Sequence, residues 1–194
     1  MKRYSNGFSN RKRIIIFMIT ILILGIITGI IYYYKLPNLT KNVLLENISN
    51  TILKSNISIM ITHIIMLIII LISSFIIVGL PLSYFCLFYE GLSIGFNIIV
   101  LFTYKGVKGL IYSLIYNILY KFIFIAMFLI FIYKITSLTY NIFKLIILKD
   151  KNIKRTISNK LKSILLIILF IFIVDIINYF LNPYILNVFK NLLK

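Results

Sequence analysis

Phe75–Tyr104 reads FIIVGLPLSYFCLFYEGLSIGFNIIVLFTY, an apolar run interrupted twice: at Gly79-Leu80-Pro81 and, nine positions after the proline, at Glu90-Gly91. Proline has no N–H to donate and fits the first turn of a helix, so Gly79 and Pro81 end one apolar helix and begin the next in a tight hairpin. Glu90 then falls part-way along the second helix, where a carboxylate needs a partner, water or a proton. Gly91-Leu-Ser-Ile-Gly95, with Phe96 beside it, forms a flat face of the small-xxx-small type on which another helix backbone can lie close. A costly charge beside a close-packing face predicts a contact surface, which we read as helix packing and partner docking.

Working outward, the 194 residues are 61% hydrophobic with a mean hydropathy of +1.06 and no Trp. No water-soluble core of this size hides so much apolar surface, so the fold class is all-α and polytopic in a membrane. Twenty-one Lys and Arg stand against four acids, Glu46, Glu90, Asp150 and Asp175. Beside several bilayer-length apolar runs, that imbalance points to membrane lipids and not to nucleic acid. A single cysteine, Cys86, rules out a disulfide or a cysteine-built metal site within one chain.

The chain divides into one membrane domain, 1–194, with about five spans, 14–34, 59–78, 82–102, 110–133 and 163–181, and a basic loop at 134–162. Residues 1–13 are basic and acid-free, and the apolar run behind them lacks a small-residue cleavage site, which makes it an uncleaved first span. That span carries a second small-xxx-small face, Gly25 to Gly29, and ends in Tyr32-Tyr33-Tyr34-Lys35, an interfacial aromatic belt, before Pro37. Residues 36–58 read as a surface segment with apolar Val43, Leu44, Leu45, Ile48, Ile52 and Leu53 at helical spacing. Ile135, Leu138, Ile142, Leu145 and Ile146 predict an interfacial helix within the basic loop. Asn182-Pro183 precedes a short amphipathic tail. Placing the N-terminus inside puts 13 basic residues on the inner side and seven on the outer, with Lys121 inside a span, so the positive-inside rule puts the N-terminus in the cytoplasm and the C-terminus outside.

Glu90 lies roughly 12 Å from the inner end of its span and Lys121 roughly 16 Å from the outer end of the next, at about 1.5 Å per residue. Both are therefore near mid-depth, where an internal ion pair and a protonated Glu90 are the alternatives. Asp175 is either a proton- or ion-binding carboxylate or a buried acid bonded to Asn178, a Tyr or backbone. His63, alone near the start of its span, reads as packed or interfacial. No HExxH, G-x-S-x-G, Walker loop or paired-carboxylate motif is present, so no catalytic or metal residues and no cofactor are predicted, and the chain is not expected to be an enzyme. Two functions remain: a scaffold that holds partner anchors, and a transporter or channel subunit using Glu90, Lys121 and Asp175.

The series Gly79-Leu-Pro81, then Glu90-Gly91-Leu-Ser-Ile-Gly95-Phe96, resembles the hairpin segment of the stage II sporulation protein M family, and Phe180-Leu-Asn-Pro183 is similar to the family's closing segment. Chain length and the basic N-terminus before one first span extend the resemblance over most of the chain. Three positions depart from the pattern. Glu90 stands where relatives often have a basic residue, Asn117 is kept without the neighbouring proline, and Asn178 stands where relatives often carry an acid. The resemblance implies a membrane anchor in the mother-cell engulfing membrane that localises two cell-wall hydrolases, stage II sporulation proteins D and P, during forespore engulfment, with no hydrolase activity of its own.

Overall fold

The structure, a computed structural model, describes residues 3–44, 56–76, 79–117, 121–148 and 152–193, with backbone alone at 3–10, 56–59, 116–117, 147–148, 152–155 and 182–193. It is all helix: α1 Arg3–Lys35, α2 Asn56–Ser73, α3 Gly79–Lys105, α4 Val107–Asn117, α5 Ile123–Leu148 and α6 Asn152–Leu193. Among the described residues four stretches are long and apolar enough to cross a bilayer, Arg11–Lys35, Gly79–Lys105, Ile123–Ile146 and Thr156–Leu181, and Met60–Ser73 is a shorter apolar helix. Large apolar side chains such as Ile16, Ile72, Phe85 and Leu166 point outward. That pattern is stable only where the surrounding solvent is lipid, so the protein is a multi-pass membrane protein.

The α2–α3 hairpin forms as the sequence predicts. Ile76 N–H donates to Ser73 O at 3.0 Å and Gly79 N–H to Ile76 O at 3.0 Å, with Pro81 in the first turn of α3. A side chain on Gly79 would meet Ser74 Cα and N at 2.5 Å, so only glycine lets the turn close this tightly. Thr139 Oγ1 of α5 donates to the buried Ser74 O at 3.0 Å and ties the turn to the bundle.

α3 is the hub. It packs on α1, α2, α4 and α5, while α6 packs on α5 and α2. α1 and α3 run parallel: Gly25 sits against Phe88 and Gly91, and Gly29, one turn on, against Leu92 and Phe96. The main core is built from α5, where Phe124, Phe128 and Phe131 lie stacked one turn apart with ring centroids 5.5 and 6.1 Å apart, enclosed by Met18, Leu67, Leu87, Ile164 and Ile171. A second cluster at the far end joins Tyr33 to Ile99, Val100, Leu101 and Tyr112.

Two expectations are corrected. The span at 110–133 is described up to Asn117 in α4 and again from Lys121, where a π-type turn leads into α5; residues 118–120 lie outside the described residues. Residues 134–148 are not loop but the second half of α5. Ile135 and Leu138 are fully buried core residues, because the apolar series that reads as one interfacial face continues the phase of Phe124, Phe128 and Phe131. At the end of the chain, α6 passes through Pro183 to Leu193 with no break at Asn182-Pro183. The aromatic belt is also divided. Tyr32 and Tyr34 face outward, while Tyr33 is 2% exposed and turned into the bundle. In the surface segment, 38–44 is helical and Lys41 Nζ donates back to Tyr34 O at 3.0 Å, while Leu45, Ile48, Ile52 and Leu53 lie outside the described residues.

Candidate functional site

The polar residues of the spans converge. The α2–α3 hairpin brings His63, ten residues before Ser73, level with Glu90, eleven after Gly79; at about 1.5 Å per residue both stand roughly 15 to 16 Å from the turn. His63 Nδ1–H donates to the carboxylate of Asp175 on α6, 3.1 Å from Oδ2 and 3.3 Å from Oδ1. On the other side of the ring, His63 Nε2 faces Glu90 Oε1 at 3.9 Å, an electrostatic contact and not a hydrogen bond. Glu90 Oε2 lies 4.0 Å from Lys121 Nζ, and that ammonium donates to Ser93 Oγ at 2.6 Å. The order Asp175, His63, Glu90, Lys121, Ser93 links α2, α3, α6 and the turn at Lys121 that leads into α5.

Packing fixes the imidazole. Its ring lies on Phe124, centroids 3.8 Å apart and planes 12° apart, and so forms the top of the Phe124–Phe128–Phe131 stack. Glu90 is 6% and Asp175 7% exposed. Two carboxylates at this burial need positive partners, and His63 and Lys121 are placed to supply them. An imidazole carrying both protons presents one N–H to each carboxylate, whereas a neutral one holds Asp175 and leaves Glu90 to Lys121. The arrangement can lock four chain segments together and can hold a proton. Among the described residues no three His, Cys, Asp or Glu side chains meet as metal ligands.

The Glu90–Lys121 pair appears as a long contact, with Ser93 as the nearer partner of the lysine. Asp175 meets a histidine from another helix. His63, read from sequence as a bystander, is the centre. The signal that finds it is depth: four residues into its expected span and six from the end of the fifth, His63 and Asp175 differ by only about 3 Å in level at the helical rise. Asn178 is half-buried one turn beyond Asp175, and Phe180 is exposed, edge-on to Tyr179. Asn117 is the last described residue of α4 and Pro183 lies within α6; both side chains fall outside the described ones.

The glycine faces form a second, separate feature. A methyl on Gly25 would strike Phe88 O, on Gly29 Leu92 O, on Gly91 Leu22 O and on Gly95 Ile26 O. Each glycine therefore receives a carbonyl of the opposite helix, the arrangement by which small residues let membrane helices touch backbone to backbone. Phe96 closes the seam against Tyr32 and Tyr33, with centroids 6.1 and 6.0 Å away. The two faces expected to receive a partner are thus filled by each other. The sequence shows flat faces but not which pair, and the α1–α3 match satisfies both at once.

No family model, no curated protein and no solved structure matches the chain.

Proposed function

We propose that the chain is a membrane anchor without catalytic activity that holds peptidoglycan-remodelling hydrolases, of the kind of stage II sporulation proteins D and P, in the mother-cell engulfing membrane. The resemblance of residues 79–96 and 180–183 motivates this reading. The observation that carries it is that the segment of closest resemblance is α3, the element that organises the bundle, and that its glycines, Glu90 and Ser93 are all engaged by other parts of the same chain. Side chains used in this way hold a shape and leave no reactive group free. Since α1 fills the glycine face, partner helices dock on the outward surface, where Phe85 and Tyr89 stand one turn apart on α3.

In this reading the helices make five crossings: α1, α2, α3, α4 with α5, and α6. The N-terminus is cytoplasmic and the C-terminus extracytoplasmic. The test is capture of the tagged full chain from sporulating cells. Both hydrolases should co-purify, and Phe85→Ala with Tyr89→Ala should lose them while still inserting. Recovery of intact protein with neither hydrolase would refute the assignment.

The Asp175–His63–Glu90 chain favours a second reading, a subunit that handles protons or ions. Proton flux in proteoliposomes that disappears in Glu90→Gln and in Asp175→Asn would replace the anchor reading with this one.

A further inference from the structure

At the opposite end of the bundle from Tyr33, a cleft of about 880 Å³ opens between the start of α1, the start of α3 and the second half of α5. Its described lining is Arg11 and Arg13, the hydroxyl residues Tyr133, Thr136, Ser137, Thr139 and Tyr140, and the apolar Ile14, Leu80 and Phe143. No acid is among them. Neither guanidinium makes a hydrogen bond or ion pair among the described residues, although Arg is the side chain best shaped to grip an oxyanion with two parallel N–H groups.

The hydroxyls divide into two kinds. Thr136 and Thr139 spend their hydrogens on Ile132 O at 2.9 Å and Ser74 O at 3.0 Å. Ser137 is different: Lys160 Nζ of α6 donates to its Oγ at 2.5 Å and to its carbonyl at 3.2 Å, which leaves the Ser137 hydrogen free to donate. The hydroxyls of Tyr133 and Tyr140 also carry no hydrogen bond among the described residues, and the Tyr140 ring is held under Lys144 Nζ, 4.7 Å from its centroid. The cleft therefore combines two cations and three hydroxyl donors with three apolar side chains.

Depth selects the ligand. Arg11 and Arg13 are the last cations before the apolar run that begins at Ile14, and Leu80 sits in the hairpin turn, so the cleft lies at the level of the lipid phosphates. We infer that this cleft binds a phosphate oxyanion, and that the phosphate is the headgroup of an anionic phospholipid whose glycerol and first methylenes lie along Ile14, Leu80 and Phe143. A volume near 900 Å³ suits a headgroup with the start of its chains and greatly exceeds a free phosphate ion. The site stands apart from the anchor reading: of residues 79–96, which motivate that reading, the cleft uses Leu80 alone.

The full chain, purified in detergent, is titrated with phosphatidylglycerol and with phosphatidylcholine, and bound lipid is counted by native mass spectrometry. Retained phosphatidylglycerol should exceed phosphatidylcholine by about tenfold, and Arg11→Gln with Arg13→Gln should remove that preference, as expected for charge-assisted bonds. Tyr133→Phe, which deletes a donor and keeps the ring, should weaken retention about threefold. Lys12→Gln removes a neighbouring charge that does not line the cleft and should leave the preference in place. Equal losses in Lys12→Gln and Arg11→Gln would show diffuse surface attraction and overturn the site. Inorganic phosphate and glycerol phosphate supply the other arm: failure to displace the lipid assigns the site to a lipid headgroup, whereas displacement at millimolar concentration assigns it to a soluble phosphate. Absence of any preference for phosphatidylglycerol together with no effect of phosphate refutes both.

Discussion

Replacing Gly95 by Ala tests the α1–α3 seam most directly. The new methyl would land on Ile26 O, 2.8 Å from its carbonyl carbon and 3.0 Å from its Cα, where ordinary contact begins near 3.4 Å. The obstacle is backbone within a helix, so no rotamer change relieves it and α1 must move off α3. Overpacking of this kind costs about 1–3 kcal/mol, and a rigid obstacle argues for the upper end. A gap of roughly 0.5–1 Å also forfeits a quarter to a half of the dispersion attraction along the seam. Alanine's better helix propensity returns about 1 kcal/mol, leaving a net loss of about 2 kcal/mol. Because one separation relieves every glycine of the seam, Gly91→Ala added to Gly95→Ala should cost clearly less than the sum, with a coupling of about 1 kcal/mol. Equilibrium unfolding in micelles measures both quantities. Gly106→Ala is the control: nothing lies within 4 Å of its added methyl, so its cost of about 1 kcal/mol comes from the φ of 60° alone and should add to any seam variant. A Gly95→Ala protein as stable as the parent, or strict additivity with Gly91→Ala, would mean the glycines do not meet.

Other outcomes follow from the charge cluster and the ends of the bundle. His63→Ala strands the buried Asp175 carboxylate and should destabilise the fold by about 3 kcal/mol in the same unfolding assay, whereas Asp175→Asn keeps an acceptor for Nδ1–H and should cost less than half of that. Glu90→Gln and Lys121→Met should each lower stability with a coupling of only about 1 kcal/mol in the double variant, since the 4.0 Å contact is long and Ser93 retains the ammonium. Tyr33→Phe removes a buried hydroxyl that has no partner among the described residues and should leave stability unchanged or raise it by up to about 1 kcal/mol. Cysteines placed at Lys54, Lys154 and Lys194 should react with an impermeant reagent from outside at 54 and 194 and from inside at 154; outside labelling at 154 would reverse the orientation.

What sequence shows here is set by the range of the cause. Gly79 and Pro81 act within one turn of chain, so the hairpin is legible from them alone. The apolar runs likewise give the helices, because the bilayer imposes their length. The apolar series from Ile135 to Ile146 has one period whether it faces lipid surface or a protein core, so periodicity places it on a helix without saying which. His63 is illegible from its sequence neighbours, because Phe124, Asp175 and Glu90 all reach it from other helices.

The two internal devices divide the bundle between them. Glycine contact joins α1 to α3 and asks only for the absence of side chains, so its stability is steric and indifferent to proton supply. The charge chain joins α2, Lys121 and α6 to that same α3 and is electrostatic. Lys121 is one ammonium beside two buried carboxylates, Glu90 and Asp175, and His63 stands between the two, clamped on Phe124 and Asp175. A cluster whose members come from four chain segments works as a lock in the arrangement seen. To work as a pump it needs a second helix arrangement, and α3, pinned to α1 by four backbone contacts, is the element least free to provide one.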